Sequence, residues 1–223
     1  MMIAYKYLSK PINLKNGVYH LVIENKSLFR KTLTALSEKD GDDWFVISEN
    51  FNPMDLNKTS FFADNALLFE MNNKKLMTKI YSDLTQRANE VLYEEMMRLR
   101  SAILNFAEKL SFEFDFDYIY DGDIDASDII KMLNFKVRNE SEEHGESLML
   151  FFSLLQKYLG IKLFICCNLN TYFSDEEISA LSLMAESANI SILNIESFLF
   201  NNYGKDRISI IDKDLCEIID SEP

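Results

Sequence analysis

Glycine and proline are scarce, six and three respectively in 223 residues, and no stretch is rich in Gly and Ser or in Pro. That excludes a flexible linker or an extended polyproline spacer between domains. Cysteine is scarce and oddly placed: Cys166 and Cys167 adjoin inside an apolar run, and Cys216 stands alone. An odd, unspaced set excludes a disulfide framework and leads us to expect buried, reduced thiols in a cytoplasmic protein. His20 and His144 are the only histidines and neither lies at ligand spacing from a cysteine, which excludes a zinc signature and leaves little for a catalytic triad. No run approaches the roughly 18 apolar residues of a membrane span. Met1 to Lys6 begins no apolar stretch with a small-residue cleavage site, so neither a secretory leader nor a membrane partner is expected. A Gly-x-Ser-x-Gly elbow is missing, and the turn Ile23-Glu24-Asn25-Lys26, where a phosphate-binding loop would follow a strand, has no glycine.

Basic residues are outnumbered, 23 to 36, giving a net charge of −13 and a pI near 4.6. Taken whole, that weighs against nucleic-acid binding. The imbalance is uneven, however: residues 1–32 carry six cations (Lys6, Lys10, Lys15, Lys26, Arg30 and Lys31) against Glu24 alone. Salt screens charges beyond about 8 Å, so local patches decide contacts.

Hydrophobic residues at 48% and aromatics at 13% are those of a globular chain. Asn16-Gly17 is a two-residue hairpin signal, followed by the β-rich run Val18 to Ile23. Asn25 caps an expected helix over Lys26 to Ser37, with Leu28, Phe29, Leu33 and Leu36 on one face. Short strands are expected at Trp44–Ile47 and Phe61–Phe62. From the expected cap Asn72, apolar residues from Leu76 to Leu110 keep a helical period, longer than an ordinary globular helix, which implies one long or broken helix pair. Ser111 to Tyr118 alternates Phe112, Phe114 and Phe116 with Glu113, Asp115 and Asp117, the pattern of a strand. A helix over Ser127–Leu133, a strand at Phe135–Val137 and a helix over Leu148–Leu159 closed by Gly160 follow. The apolar strand Lys162–Cys167 comes next, then a helix with the capping box Ser174/Glu177, then strands at Ile190–Ile195 and Ile208–Ile211. Strands alternating with helices at both ends predict an α/β head, residues 1–71 and 134–223, interrupted by a mainly helical leg with an acidic strand, residues 72–133.

Seven acids crowd positions 113–128: Glu113, Asp115, Asp117, Asp121, Asp123, Asp125 and Asp128. Like charges this dense repel unless a cation or basic partner neutralises them, and hard divalent ions take several carboxylate oxygens within about 2.6 Å. An EF-hand register from Asp117 fails at Ile119, which leaves an irregular carboxylate site or a solvated acidic strand with a helix-capping loop. Asp115 and Asp117 also imitate an Asp-x-Asp phosphatase nucleophile, although Glu113 interrupts the apolar strand that should precede one. Two basic clusters qualify as phosphate contacts: Arg30 with Lys31 on the first helix, and Lys74, Lys75 and Lys79 in the first turns of the long one. Cations at a helix N-terminus are electrostatically misplaced, and together with the dipole they can hold a backbone phosphate. Solvated surface lysine is the other reading.

Several segments in order resemble one family. Pro11 to Ser27 (PINLKNGVYHLVIENKS) resembles the opening hairpin and strand of the Csn-two family, the small adaptation protein of type II-A CRISPR systems. Met71 to Leu84 (MNNKKLMTKIYSDL) resembles the start of its long helices, and Glu113 to Tyr118 (EFDFDY) its acidic strand. Ile129 to Val137 (IIKMLNFKV), Leu163 to Ile178 (LFICCNLNTYFSDEEI) and Ile211-Asp212-Lys213-Asp214 resemble its closing elements. The resemblance implies an α/β head of nucleotide-binding-like topology without a working phosphate loop, a helical leg and a homotetrameric ring. It also implies Ca²⁺ sites and non-catalytic binding of double-stranded DNA ends in spacer acquisition, beside the spacer integrase and the effector nuclease. Glu113, Asp115 and Asp117 match the family's acidic motif position by position, with Asp121 and Asp123 as candidate further ligands. The rival expectations are a metal-dependent phosphoesterase using Asp115 and Asp117, and a metal-free protein–protein adaptor.

Overall fold

The computed structural model describes residues 1–113, 119–200 and 207–218. In chain order the first elements are β1 (Met2–Tyr5), β2 (Ile12–Asn13), β3 (Gly17–Ile23), α1 (Lys26–Ser37), β4 (Phe45–Glu49), β5 (Asn52–Met54), α2 (Leu56–Thr59) and β6 (Ser60–Ala63). Helices α3 (Lys74–Glu90), α4 (Tyr93–Phe112), α5 (Ala126–Leu133) and α6 (His144–Leu159) follow. The chain closes with β7 (Leu163–Cys167), α7 (Leu169–Tyr172), α8 (Asp175–Ser187), β8 (Ser191–Glu196), β9 (Ile208–Ile211) and β10 (Glu217–Ile218). It divides into two compact units, Met1–Glu70 with Asn139–Pro223, and Met71–Arg138.

The first unit is α/β. Its main sheet has the order β10-β9-β3-β8-β7-β6, in which β9, β3, β8, β7 and β6 run parallel and β10 pairs antiparallel to β9. A parallel strand buried on both faces reads as a near-continuous apolar run, and every residue of Leu163–Cys167 is buried. Side chains alternate between the two faces. Leu21, Ile23, Leu163, Ile165, Leu193 and Ile195 share one core with α1 and a second, antiparallel sheet of order β2-β1-β4-β5. The residues between them look the other way, where Phe152 of α6 stacks on Phe164 at 4.2 Å and α8 lies against β3.

Local chemistry sets the helix ends. Asn25 Oδ1 accepts from Ser27 N and Leu28 N at 3.1 and 3.0 Å, and the Leu28, Thr32, Ala35, Leu36 stripe is buried. The Ser174/Glu177 capping box is present in both directions, and Gly160 closes α6 in the left-handed region at φ +69°.

The Asn16-Gly17 pair makes no hairpin. Ile12 is drawn into the smaller sheet by pairing with Ile3, while β3, buried at all but Tyr19, joins the larger one. Gly17 keeps the positive φ (+102°) that such a pair favours, spent here on entering a parallel strand.

The second unit is helical. The broken helix pair is α3 and α4, separated at Val91-Leu92, where both amides turn back to the Arg87 carbonyl. The cap of α3 is Asn73, whose side chain accepts from Leu76 N, rather than Asn72. Leu76 and Ile80 are buried where α3 packs on α5, whose buried residues are Ala126, Ile129 and Ile130. Twenty residues of α4 contain none that is buried. The strand expected over Ser111–Tyr118 is helix as far as Phe112, because Phe112 also completes the helical period of α4; Glu113 is its C-cap. Residues 114–118 of that expectation lie outside the described residues. Phe135–Val137 is not a strand either: among the described residues it pairs with no strand, and its backbone bonds to the side chains of Tyr81 and Asn72.

Candidate functional site

The cationic candidates fall on two helices, one in each unit. On α1, Lys26, Ser27, Arg30 and Lys31 are exposed at helical neighbours. On α3, Lys74, Lys75, Thr78 and Lys79 are exposed, and the first acid of that helix is Asp83, already bonded to Arg87 at 3.2 Å. Among the described residues no ion pair involves Arg30, Lys31, Lys74, Lys75 or Lys79. Each helix thus presents cations that no acid among the described residues pairs with.

The acids of 113–128 divide by task. Asp125 caps α5, accepting from Ser127 N at 2.7 Å and Asp128 N at 3.2 Å, and Asp128 returns a bond to Asp125 N. The bond from Ser127 is the main cause that holds the Asp125 carboxyl below the usual range. Asp123 Oδ1 pairs with Arg100 Nη2 at 3.2 Å, and Asp121 Oδ1 accepts from Asp123 N at 2.9 Å. Glu113 is exposed, while Asp115 and Asp117 lie outside the described residues. Among the described residues no three His, Cys, Asp or Glu side chains gather closely enough to hold a metal ion.

In an open parallel sheet ligands bind outside the carboxyl ends of the strands, commonly with phosphate on a helix N-terminus. Here the first N–H groups of α1, directly after β3, are taken by Asn25, whose amide also donates to the Lys213 carbonyl at 2.7 Å. After β7, Leu169 N bonds Asn194 Oδ1 at 3.2 Å and Asn170 N bonds Glu196 Oε1 at 2.9 Å. The donors that would greet a phosphate are occupied by the protein's own side chains.

Reading the sequence overlooked this second group. His20, Asn194 and Glu196 are buried on one face of β3 and β8, with Asn194 Nδ2 at 3.2 Å from His20 Nδ1, 3.2 Å from Asn170 Oδ1 and 2.7 Å from Glu196 Oε1. The available signal was the alternation of Ile192-Leu193-Asn194-Ile195-Glu196, polar at every second place in a strand otherwise apolar on both faces. Burial pushes the Glu196 carboxyl upward, against the bonds from Asn170 and Asn194, and pulls His20 down to about 4. Burial also raises the Cys166 thiol well above its ordinary value, so it is no nucleophile in the folded chain.

The first unit thus has an α/β fold whose phosphate positions are filled from within, and the second unit is helical. The family model of the CRISPR-associated protein (Cas_Csn2) matches residues 38–215, and the chain belongs to that family. The CRISPR-associated protein Csn2 of Enterococcus faecalis is 22% identical over 212 residues, covering 91% of this chain and 92% of that one. A solved structure described as an ABC transporter (ATP-binding protein) from Pyrococcus furiosus covers 94% of each chain at 9% identity, with a TM-score of 0.37. Among the described residues no helix is long and apolar enough to cross a membrane.

Proposed function

We propose that this chain is a non-catalytic, calcium-dependent ring protein that binds double-stranded DNA, through free ends, and supports spacer acquisition in a type II-A CRISPR system. The observation that carries the reading is the pair of uncompensated cationic helix surfaces, Arg30 and Lys31 on α1 and Lys74, Lys75 and Lys79 on α3, on a chain of net charge −13. Cations retained without acid partners, against the overall charge, suit a phosphate backbone. Membership of the Csn2 family supports the same context, with the spacer integrase and the effector nuclease as partners. The homotetramer is supported by α4, which leaves Phe106 and Phe112 66% and 79% exposed on a helix with no buried residue. Four copies multiply weak phosphate contacts. Calcium would be held by Glu113, Asp115 and Asp117, with Asp121 and Asp123 as further candidates, and would neutralise the crowded acids.

The test is binding to linear duplex and to covalently closed circles of equal sequence, with calcium and with chelator. Linear DNA is expected to bind with affinity falling steeply in salt, at a log–log slope of about −0.9 per phosphate neutralised. Replacing Lys74, Lys75 and Lys79 by Ala should weaken all duplexes alike and flatten that slope. Equal binding to circles would overturn the threaded ring. Metal-dependent phosphate release that Asp115→Asn abolishes would replace it with the phosphoesterase reading.

A further inference from the structure

The turn between β9 and β10 carries Asp212-Lys213-Asp214, a motif with no part in the cationic surfaces of α1 and α3. One carboxylate sets its shape. Asp212 Oδ1 accepts from Asp214 N at 2.9 Å and from Cys216 N at 2.8 Å, and Asp212 N donates to the Cys216 carbonyl at 2.9 Å. Lys213 is left exposed in the turn. Strand β9 lies beside β3 with Ile211 opposite Ile23, so the turn leaves the sheet at the end where the chain enters α1.

A single side chain joins the turn to the helix. Asn25 Oδ1 caps α1, while its Nδ2 donates to the Lys213 carbonyl at 2.7 Å, across 188 residues of chain. The backbone of Lys213 is thereby held against the first turn of α1, next to Lys26. The exposed positions of α1 are Lys26, Ser27, Arg30, Lys31, Thr34 and Ser37, and none is apolar. Cations and hydroxyls are the side chains that contact phosphate, whereas a protein interface centres on aromatic or apolar anchors. Among the described residues no ion pair involves Lys26 or Lys213. Of the acids closest in sequence, Glu24 is half-buried and Asp212 is engaged in the turn; Asp214 is exposed beside Lys213 and opposes it.

We infer that Lys213 is a further contact for the DNA phosphate backbone, joining Lys26, Arg30 and Lys31, and that Asn25 is the residue that positions it. The inference rests on the DNA reading of α1 and adds to that surface a second element of the same α/β unit. The helix amides themselves take no part, because Asn25 already occupies those of Ser27 and Leu28.

The test is anisotropy titration of a labelled linear duplex with the full chain and calcium, over about 0.05–0.2 M salt. Lys213→Ala should weaken binding roughly threefold to tenfold and flatten the log–log salt slope by about 0.9, the loss of one neutralised phosphate. Asp214→Asn should tighten binding. Asn25→Ser keeps a good helix cap and gives up the amide that holds Lys213. It should weaken binding in the parent and have no effect once Lys213 is replaced by Ala. An equal loss in both backgrounds would make Asn25 a helix cap only and overturn its positioning role. Arg30→Ala with Lys31→Ala separates the two readings. If that pair of changes weakens binding while Lys213→Ala alters neither affinity nor slope, the inference fails and the α1 surface stands. If the parent binds no duplex, or the pair has no effect, the DNA reading of α1 fails and the inference with it. Polyglutamate competing as well as duplex of equal charge would assign the surface to an acidic protein instead.

Discussion

Asn72 pairs with both backbone groups of Val137: its Oδ1 accepts from Val137 N at 2.8 Å, and its Nδ2 donates to the Val137 carbonyl at 3.1 Å. One side chain thereby imitates a rung of β-ladder across 65 residues of chain, and the contact is partly buried. Removing it strands a donor and an acceptor together, each costing about 1–3 kcal/mol where water cannot replace the partner.

Asn72→Ala should therefore lower the stability of the helical unit by about 1–3 kcal/mol. Asn72→Asp retains the acceptor for Val137 N and loses the donor, so it should fall between the two. Urea unfolding followed by circular dichroism checks this. A variant indistinguishable from the parent would mean that solvent satisfies Val137 equally well.

Gly17 and Arg207 give a second, sharper constraint. A Cβ added to Gly17 would lie 2.1 Å from Arg207 Nη1, and Gly17 stands at φ +102°. Arg207 is itself held by the Asn16 carbonyl at 3.2 Å, by Ser182 Oγ at 3.2 Å and by Glu186. Gly17→Ala therefore combines backbone strain of about 1–3 kcal/mol with loss of the arginine's position. Its unfolding midpoint should fall clearly, and Gly17→Ala in an Arg207→Ala background should recover the steric part alone. An unchanged midpoint would contradict the close approach.

These two pairs also show what could be read from sequence. Helix α1, its Asn25 cap, the Ser174/Glu177 box, the Gly160 stop and the apolar strand β7 were legible because each depends on residues within four positions of one another. Asn72 was misread as a cap since Asn72 and Asn73 are chemically equal candidates, and only the backbone of Val137, far along the chain, distinguishes them. The Asn16-Gly17 turn failed for a related reason: its φ preference is local, whereas its sheet partners are not. Phe112 satisfies both a helical and an alternating period, and the helix prevails where α4 already runs. The cationic candidates were legible as residues, but their freedom from acid partners needed side-chain geometry. The His20, Asn194 and Glu196 group was hidden because β3 and β8 become neighbours only in the folded sheet.

That group gives the remaining prediction, a pH dependence in two opposing parts. Asn194 Nδ2 lies 3.2 Å from His20 Nδ1 in this buried group. Burial lowers the His20 pKa from 6.5 to about 4. Between those values the unfolded chain binds a proton that the folded chain refuses, so this stability is whole above pH 6.5 and declines as pH falls toward about 4. A window of that width corresponds to about 3 kcal/mol. Glu196 works in the opposite sense. Its raised pKa means that its ionisation penalises the folded state at neutral pH, and acidification through its folded value toward the ordinary 4.5 relieves that penalty. His20→Asn, which keeps a neutral acceptor for Asn194, should therefore flatten the loss of stability between pH 6.5 and 4. Glu196→Gln should steepen it, by removing the compensating gain. Urea midpoints measured across that range for the parent and both variants decide the matter, and parallel profiles for all three would show that neither buried group titrates as its surroundings require.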